Sequence, residues 1–227
     1  MKVIGISGGI ASGKSAVAQA FAEEGGGTVI SADQLGHEVL ATDDFKSRAF
    51  DEWGASVFQK KGLPRTDAAM PSAPPLSSQE ESWKDLEIDR KGLAASVFDP
   101  NDAEARHLKR LNAMTHPAIA RRVAERIRQS RASGAQLVIL DAPLLYEVGM
   151  ESLCDAVVFV DTDLNIRRTR VESRGWPVGE LARREKNQFP TEVKRAAADF
   201  VLKNNGDFQE TRRQIPEILN KIGISKT

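Results

Sequence analysis

The stretch Gly8-Gly9-Ile10-Ala11-Ser12-Gly13-Lys14-Ser15 packs three glycines, a lysine and two serines into a short segment, with Ile10 its only bulky apolar side chain. Glycine is costly to order, so this composition adds little to a packed core. It suits a place where backbone approaches a ligand closely. The spacing Gly8-x-x-x-x-Gly13-Lys14-Ser15 is that of a phosphate-binding loop. In such a loop backbone N–H groups wrap the phosphates, and the helix that follows adds its positive dipole. The lysine reaches the β- and γ-phosphates, and the Ser15 hydroxyl is the expected Mg²⁺ ligand.

Two carboxylates could complete this chemistry. Asp33 ends the strand pattern Thr28–Ser31, where the crevice of a parallel sheet opens. It could take or orient the proton of an attacking hydroxyl, or simply cap the helix that follows. Asp141 follows the apolar run Leu137–Leu140, the position from which a phosphate-loop protein holds Mg²⁺ through water. A strand-end turn is the alternative for Asp141. The arginines Arg167, Arg168, Arg170 and Arg174, then Arg183 and Arg184, form a basic cluster in which Arg170 and Arg174 share a helix face. They fit a solvated surface, or a lid that closes over the transferring phosphate. His37 and His116 have no obvious nucleophile partner, and structural roles are the commoner ones.

The elements needed to position these residues are legible. Lys2–Ser7 reads as a buried strand, Lys14–Glu24 as a helix, and Thr28–Ser31 as a second strand, which makes a β-α-β unit and implies a parallel sheet. Residues 34–63 read as mostly helical. Residues 64–82 carry Pro64, Pro71, Pro74 and Pro75 among small and polar residues and read as a mobile loop. Helical texture returns at Arg90–Phe98 and from Ala103 to Ser133, with an interruption expected at His116-Pro117. Leu137–Leu140 and Ala156–Val160 read as central strands covered on both faces. Asp163–Arg174, Val178–Gln188, Val193–Val201 and Phe208–Ile222 read as helices, with a turn at Asn204-Asn205-Gly206.

Composition removes several function classes. The 227 residues carry 32 Lys plus Arg against 32 Asp plus Glu, so there is no basic excess of the kind a dedicated nucleic-acid binder shows. One cysteine, Cys154, and three histidines leave no disulfide framework and no Cys-based zinc site. The N-terminus lacks a signal-peptide pattern and no apolar run reaches membrane-spanning length, so a cytoplasmic setting, without membrane partners, is expected. A GTPase switch is suggested by Asp33-Gln34-Leu35-Gly36. That segment follows the loop too soon, however, and Asn220-Lys221 continues into Ile222-Gly223 without a guanine-reading motif. A small-molecule kinase fits the length, the arginines and the early aspartate.

The chain also resembles the dephospho-CoA kinase family over almost its whole length. The resemblance rests on Gly5–Ser15, on Ala32-Asp33 with His37, and on Asp89-Arg90 with Leu93 and Val97-Phe98. It continues through His116-Pro117 with Ile119, Asp141-x-Pro143-Leu144-Leu145-x-Glu147, and Gln188-x-Pro190 with Lys194-Arg195. It ends in Ala198–Val201 and Asn204-Asn205-Gly206. The phosphate loop is generic, and the Asp-x-Pro-Leu-Leu-x-Glu and His-Pro elements are the specific ones. The resemblance implies an α/β fold: a P-loop NTPase-type parallel sheet core flanked by helices, with an inserted helical substrate-binding domain and a small helical lid. The core would be residues 1–32, 135–163 and 191–227, the acceptor domain 33–134 with a Pro/Ser-rich loop at 64–86, and the lid 164–190.

It also implies phosphorylation by ATP of the ribose 3′-hydroxyl of dephospho-CoA, the last step of CoA synthesis, by a monomer. A kinase of another nucleoside or nucleotide is the alternative. Asp33 would be the general base and Lys14, Arg170 and Arg174 would serve the transferring group. Gly8 and Ala11, Ser12, Gly13, Lys14, Ser15 and Ala16 would hold the ATP phosphates, and Asn204, Asn205 and Gly206 would lie near the adenine. Asp33, His37, Arg90 and His116 would meet the acceptor, with Ser15 and Asp141, the latter through water, on Mg²⁺. The sequence departs from the family at three positions: Ala11 replaces a usual glycine, Tyr146 a Phe and Phe189 a Met. The methyl of Ala11 requires a negative φ or some strain.

Overall fold

The computed structural model describes residues 1–60, 83–98, 102 and 105–224. The chain divides into two compact units, Met1–Asp33 with Ala120–Thr227, and Gln34–Ile119.

The first unit is built on five parallel strands, β1 (Lys2–Gly8), β2 (Thr28–Ser31), β5 (Leu137–Asp141), β6 (Ala156–Asp161) and β7 (Phe200–Lys203), in the order β2-β5-β1-β6-β7. Helix α1 (Lys14–Gly25) lays Val17, Ala18 and Phe21 on the sheet residues Ile4, Ile6, Leu137, Ile139, Val158 and Val160. Ile215, Ile218 and Leu219 of α10 (Ile215–Ile222) join the same cluster. Covered strands carry no polar alternation, which is why β1 and β5 read as unbroken apolar runs. The second unit has its own core, in which Val39, Phe45, Val57, Phe58, Trp83, Leu93 and Val97 are buried. It contains α3 (Asp43–Trp53), α4 (Arg90–Val97), most of α2 (Ala32–Leu40) and the first half of α5 (Arg106–Ala132).

The structure corrects five sequence readings. Residues 34–63 are not helical throughout. Beyond α3, β3 (Phe58–Lys60) pairs antiparallel with β4 (Leu86–Ile88), a contact between segments too short and too distant in sequence to be read locally. The Pro/Ser-rich loop does not extend to residue 86, because Trp83 is buried in the second core and Leu86 opens β4. Its remainder, 64–82, lies outside the described residues. Helix α5 continues through His116-Pro117. Interior proline costs about 3 kcal/mol, but Leu111 and Met114 before it and Ile119, Val123 and Ile127 after it are packed, and that burial wins.

The predicted helix Val193–Val201 is instead α8 (Thr191–Ala197) followed by β7. The alanines favour helix locally. The switch comes at Asp199, whose N–H donates to Val157 O at 3.0 Å and whose Oδ2 accepts from Val157 N at 2.8 Å, so that Phe200–Lys203 joins β6. The final helix is two, α9 (Phe208–Arg213) and α10, divided at Gln214 just before Pro216. The Gln214 amide exchanges hydrogen bonds with the backbone N and O of Lys203, at 3.0 and 2.9 Å.

Candidate active site

Parallel pairing decides which residues meet at the sheet's carboxyl edge. Ile6 pairs with Asp141, Asp141 with Ser31, Gly8 with Val160, and Asp161 with Lys203. Asp141 ends β5, the phosphate loop, Thr162 and Asn204 follow directly from β1, β6 and β7, and Asp33 lies two residues beyond β2. Strands from distant parts of the chain thus deliver their terminal polar residues to one edge, where ligands of open α/β sheets bind.

Within the loop, Gly13 has φ +92° and leads into α1. A Cβ there would lie 2.5 Å from Asn204 Nδ2, so both conformation and space require glycine. Ala11 also adopts the left-handed region, at φ +62°. The strain foreseen for its methyl is therefore present, at a cost of about 1 kcal/mol.

Five successive loop carbonyls are held by side chains. Lys14 Nζ donates to Gly8 O at 3.2 Å and Gly9 O at 2.8 Å. Arg167 donates to Ile10 O at 3.3 Å and Arg170 to Ala11 O at 3.1 Å. Ser12 O accepts from Asn204 Nδ2 at 2.7 Å and from Thr162 Oγ1 at 2.9 Å. Among the described residues the buried Ser12 Oγ has no hydrogen-bond partner, and neither has Asp141 Oδ1. Unmatched buried oxygens are uncommon and mark groups that await a ligand or water. Ser15 and Ala16 are exposed at the start of α1.

Lys14 is buried, and desolvation is the main cause that pulls its ammonium from 10.5 down to about 8. Asp141 and Asp33 act in the opposite direction, while Lys194 and Arg167 add to the depression. Asp33 is exposed and stands second in α2, inside the helix rather than at its capping position. The capping explanation for Asp33 therefore loses its geometric basis, although a first-turn carboxylate still favours the helix dipole.

Several supporting residues escaped the sequence reading. Arg167 is buried on α6 (Leu164–Glu172), donates to Thr162 O at 3.2 Å, and pairs with Glu185 of α7 (Glu180–Glu185). Its only signal was membership of the arginine cluster. Lys194, 1% exposed, meets Glu147 Oε1 at 2.6 Å and Gln188 Oε1 at 3.0 Å. Glu147 Oε1 also accepts from Phe189 N at 2.9 Å. Lys194, Glu147 and Gln188 stood in the recognised motifs but carried no assigned role. Arg170 spends both terminal nitrogens on backbone, Ala11 O and Asn204 O, the latter at 3.5 Å, whereas Arg174 is exposed. Asn204 is buried behind the loop, and Asn205 exchanges hydrogen bonds with Asp163.

In the second unit, Arg90 Nη1 lies 3.2 Å from His37 Nε2. Both line a cleft of about 550 Å³ with Leu40, Lys46, Lys84 and Leu86. His116 is half-buried, its imidazole pKa is lowered by desolvation, and it is not among the described residues lining that cleft.

The family model described as dephospho-CoA kinase matches residues 2–69 and 81–210. The chain belongs to the dephospho-CoA kinase family. The unmatched interval, 70–80, falls inside the Pro/Ser-rich segment. A dephospho-CoA kinase of Corynebacterium glutamicum is 33% identical over 229 residues, covering 98% of this chain and 100% of its own. One from Geobacillus kaustophilus is 36% identical over 221 residues, covering 96% and 95%. The solved dephospho-CoA kinase of Campylobacter jejuni shares the fold, with a TM-score of 0.61 at 24% identity and coverage of 97% and 96%. The resemblance read from the motifs and the expected fold class are thus borne out. The chain is a P-loop kinase, a class whose phosphoryl donor is ATP. No described helix is long and apolar enough to cross a membrane.

Proposed function

We propose that Asp33, Lys14 and the loop Gly8–Ala16 carry out in this chain the reaction of its family, transfer of the ATP γ-phosphoryl group to the ribose 3′-hydroxyl of dephospho-CoA. The observation that carries this reading is the phosphate loop itself. With the carbonyls of residues 8 to 12 tied back, the loop is shaped before ligand arrives. Preorganised donors of this kind are the main means by which phosphoryl transfer is accelerated.

In the reaction the 3′-oxygen forms a bond to the γ-phosphorus, the bond to the ADP oxygen breaks, and the hydroxyl proton passes to a carboxylate oxygen of Asp33. Lys14 holds the β- and γ-phosphates, whose charge favours its protonated form. Ser12 Oγ, otherwise unmatched, donates to a phosphate oxygen. Arg174, being exposed, is available to the transferring group. Asn205 and Gly206 border the adenine.

The residues present fit Mg²⁺. The Ser15 hydroxyl is exposed and Asp141 Oδ1 is an unmatched carboxylate oxygen. Among the described residues no cluster of three His, Cys, Asp or Glu forms an all-protein cage, and Mg²⁺ in kinases is characteristically held by few protein groups, phosphate and water. When bound, the ion neutralises phosphate charge. Residues 33–134 are the proposed acceptor domain, with His37, Arg90 and His116 toward the acceptor, and 164–190 the lid.

The test is to offer ATP with dephospho-CoA, adenosine, AMP and shikimate, and to identify the product by mass and by ³¹P spectroscopy. Phosphorylation of dephospho-CoA at the 3′-position is expected. Preferential turnover of another acceptor would overturn the assignment.

A further inference from the structure

Arginines in a kinase lid are ordinarily assigned to the phosphates they can touch. The geometry of α6 gives Arg170 and Arg167 a different role. We infer that they are positioning residues, acting on ATP only through the phosphate loop by holding its left-handed turn at Ala11 from behind.

Three observations converge. Ala11 is one of two described residues other than glycine with positive φ, and it sits in the middle of the loop that must wrap the phosphates. An alanine does not remain at φ +62° unless its surroundings hold it there. Two guanidinium groups supply that hold. Arg170 Nη1 meets Ala11 O at 3.1 Å and its Nη2 reaches Asn204 O at 3.5 Å. One helical turn earlier, Arg167 Nη1 meets Ile10 O at 3.3 Å and its Nε meets Thr162 O at 3.2 Å.

Each guanidinium therefore bridges the loop to the end of β6 or β7, which a planar fork does well and an ammonium on one stem does not. Arg167 also packs against Gly9, where an added Cβ would lie 2.7 Å from Nη1, so the loop and α6 are in close contact. The side chains meet carbonyl oxygens, the face of the loop opposite to the N–H groups that receive anions. The pairing of Arg167 with Glu185 extends the same support to α7. A movement of α6 and α7 would then change the shape of the phosphate loop without any arginine reaching the nucleotide.

This inference rests on the reading that the loop binds ATP phosphates, and the experiment separates the two. ATP·Mg²⁺ affinity is measured by calorimetry without acceptor for wild type, Arg170→Lys and Arg170→Met, each also in an Ala11→Gly background, with thermal melts to confirm folding. Lysine in place of a phosphate-touching arginine keeps the charge and therefore part of the affinity. Lysine in place of a carbonyl-bridging arginine does not restore the two-point bridge.

The expected result is that Arg170→Lys and Arg170→Met weaken ATP to a similar extent, about tenfold, as for the loss of a charge-assisted hydrogen bond. Glycine adopts the turn without being held, so the loss should shrink to within about threefold in the Ala11→Gly background. Affinity kept by Arg170→Lys but lost by Arg170→Met would overturn the inference, as would equal losses in both backgrounds or no loss at all. Wild type that fails to bind ATP would refute the loop assignment instead. Arg167→Lys is the second variant, expected to follow Arg170→Lys.

Discussion

Lys14 links ATP affinity to pH in a direction opposite to that of stability. Burial holds its pKa at about 8 in the free protein, against 10.5 in the unfolded chain. Between those values the unfolded state binds more protons, so stability should rise as pH rises from about 8 to 10.5, and the buried charge is a cost below 8. The shift corresponds to roughly 3 kcal/mol across the window.

Phosphates beside the ammonium favour the protonated form, so ATP affinity should be greatest below pH 8 and fall above it. For a single group with a pKa of about 8 the dissociation constant increases about tenfold between about pH 7 and about pH 9. At the upper pH ATP binding should take up about 0.9 proton, and at the lower about 0.1. Calorimetry in two buffers of different ionisation enthalpy measures that uptake directly, and urea unfolding of wild type beside Lys14→Met measures the stability arm. An affinity flat over this range without proton uptake, or a Lys14→Met variant whose unfolding free energy keeps the wild-type pH slope, would refute the assignment to Lys14.

Asp33→Asn should lower kcat by about 10² or more while ATP affinity and the melting temperature stay near wild type, because Asp33 is exposed and stands inside α2; steady-state kinetics with calorimetry would show otherwise if kcat were kept. Lys194→Met leaves Glu147 without its buried partner and should destabilise by about 3–5 kcal/mol, whereas Lys194→Met with Glu147→Leu should recover most of that; denaturant melts of the three proteins decide it. Trp83→Ala removes a buried side chain of the second core and should cost about 3–5 kcal/mol. A loss within about 1 kcal/mol would show that the segment entering β4 packs weakly.

Local pattern was informative where chemistry and periodicity coincide. The loop Gly8–Ser15 needs a fixed spacing, and the strands before it and at Leu137–Leu140 must be apolar on both faces, so a short window of residues suffices to read them. Asp33 and Asp141 could be nominated from their place after strand patterns, but not separated from caps and turns, because those alternatives use the same residue type. Strand β7 was misread because only Leu202 of its four residues is buried and its strand character comes from pairing with β6. Trp83 was uncertain for a similar reason: its burial depends on partners from several other elements of the second core.

The sequence by itself determined the phosphate-loop chemistry, the parallel α/β core and the family, since these are written in residue types at fixed spacings and in runs of apolar side chains. Tertiary structure alone decided what holds the loop in shape. That Arg167 and Arg170 point at carbonyls, that Asn204 and Thr162 converge on Ser12 O, and that Lys194 is matched by Glu147 all depend on contacts between residues far apart in the chain. The physical reason is that a polar side chain's role is set by the partner it finds when it is desolvated, and no local pattern names that partner.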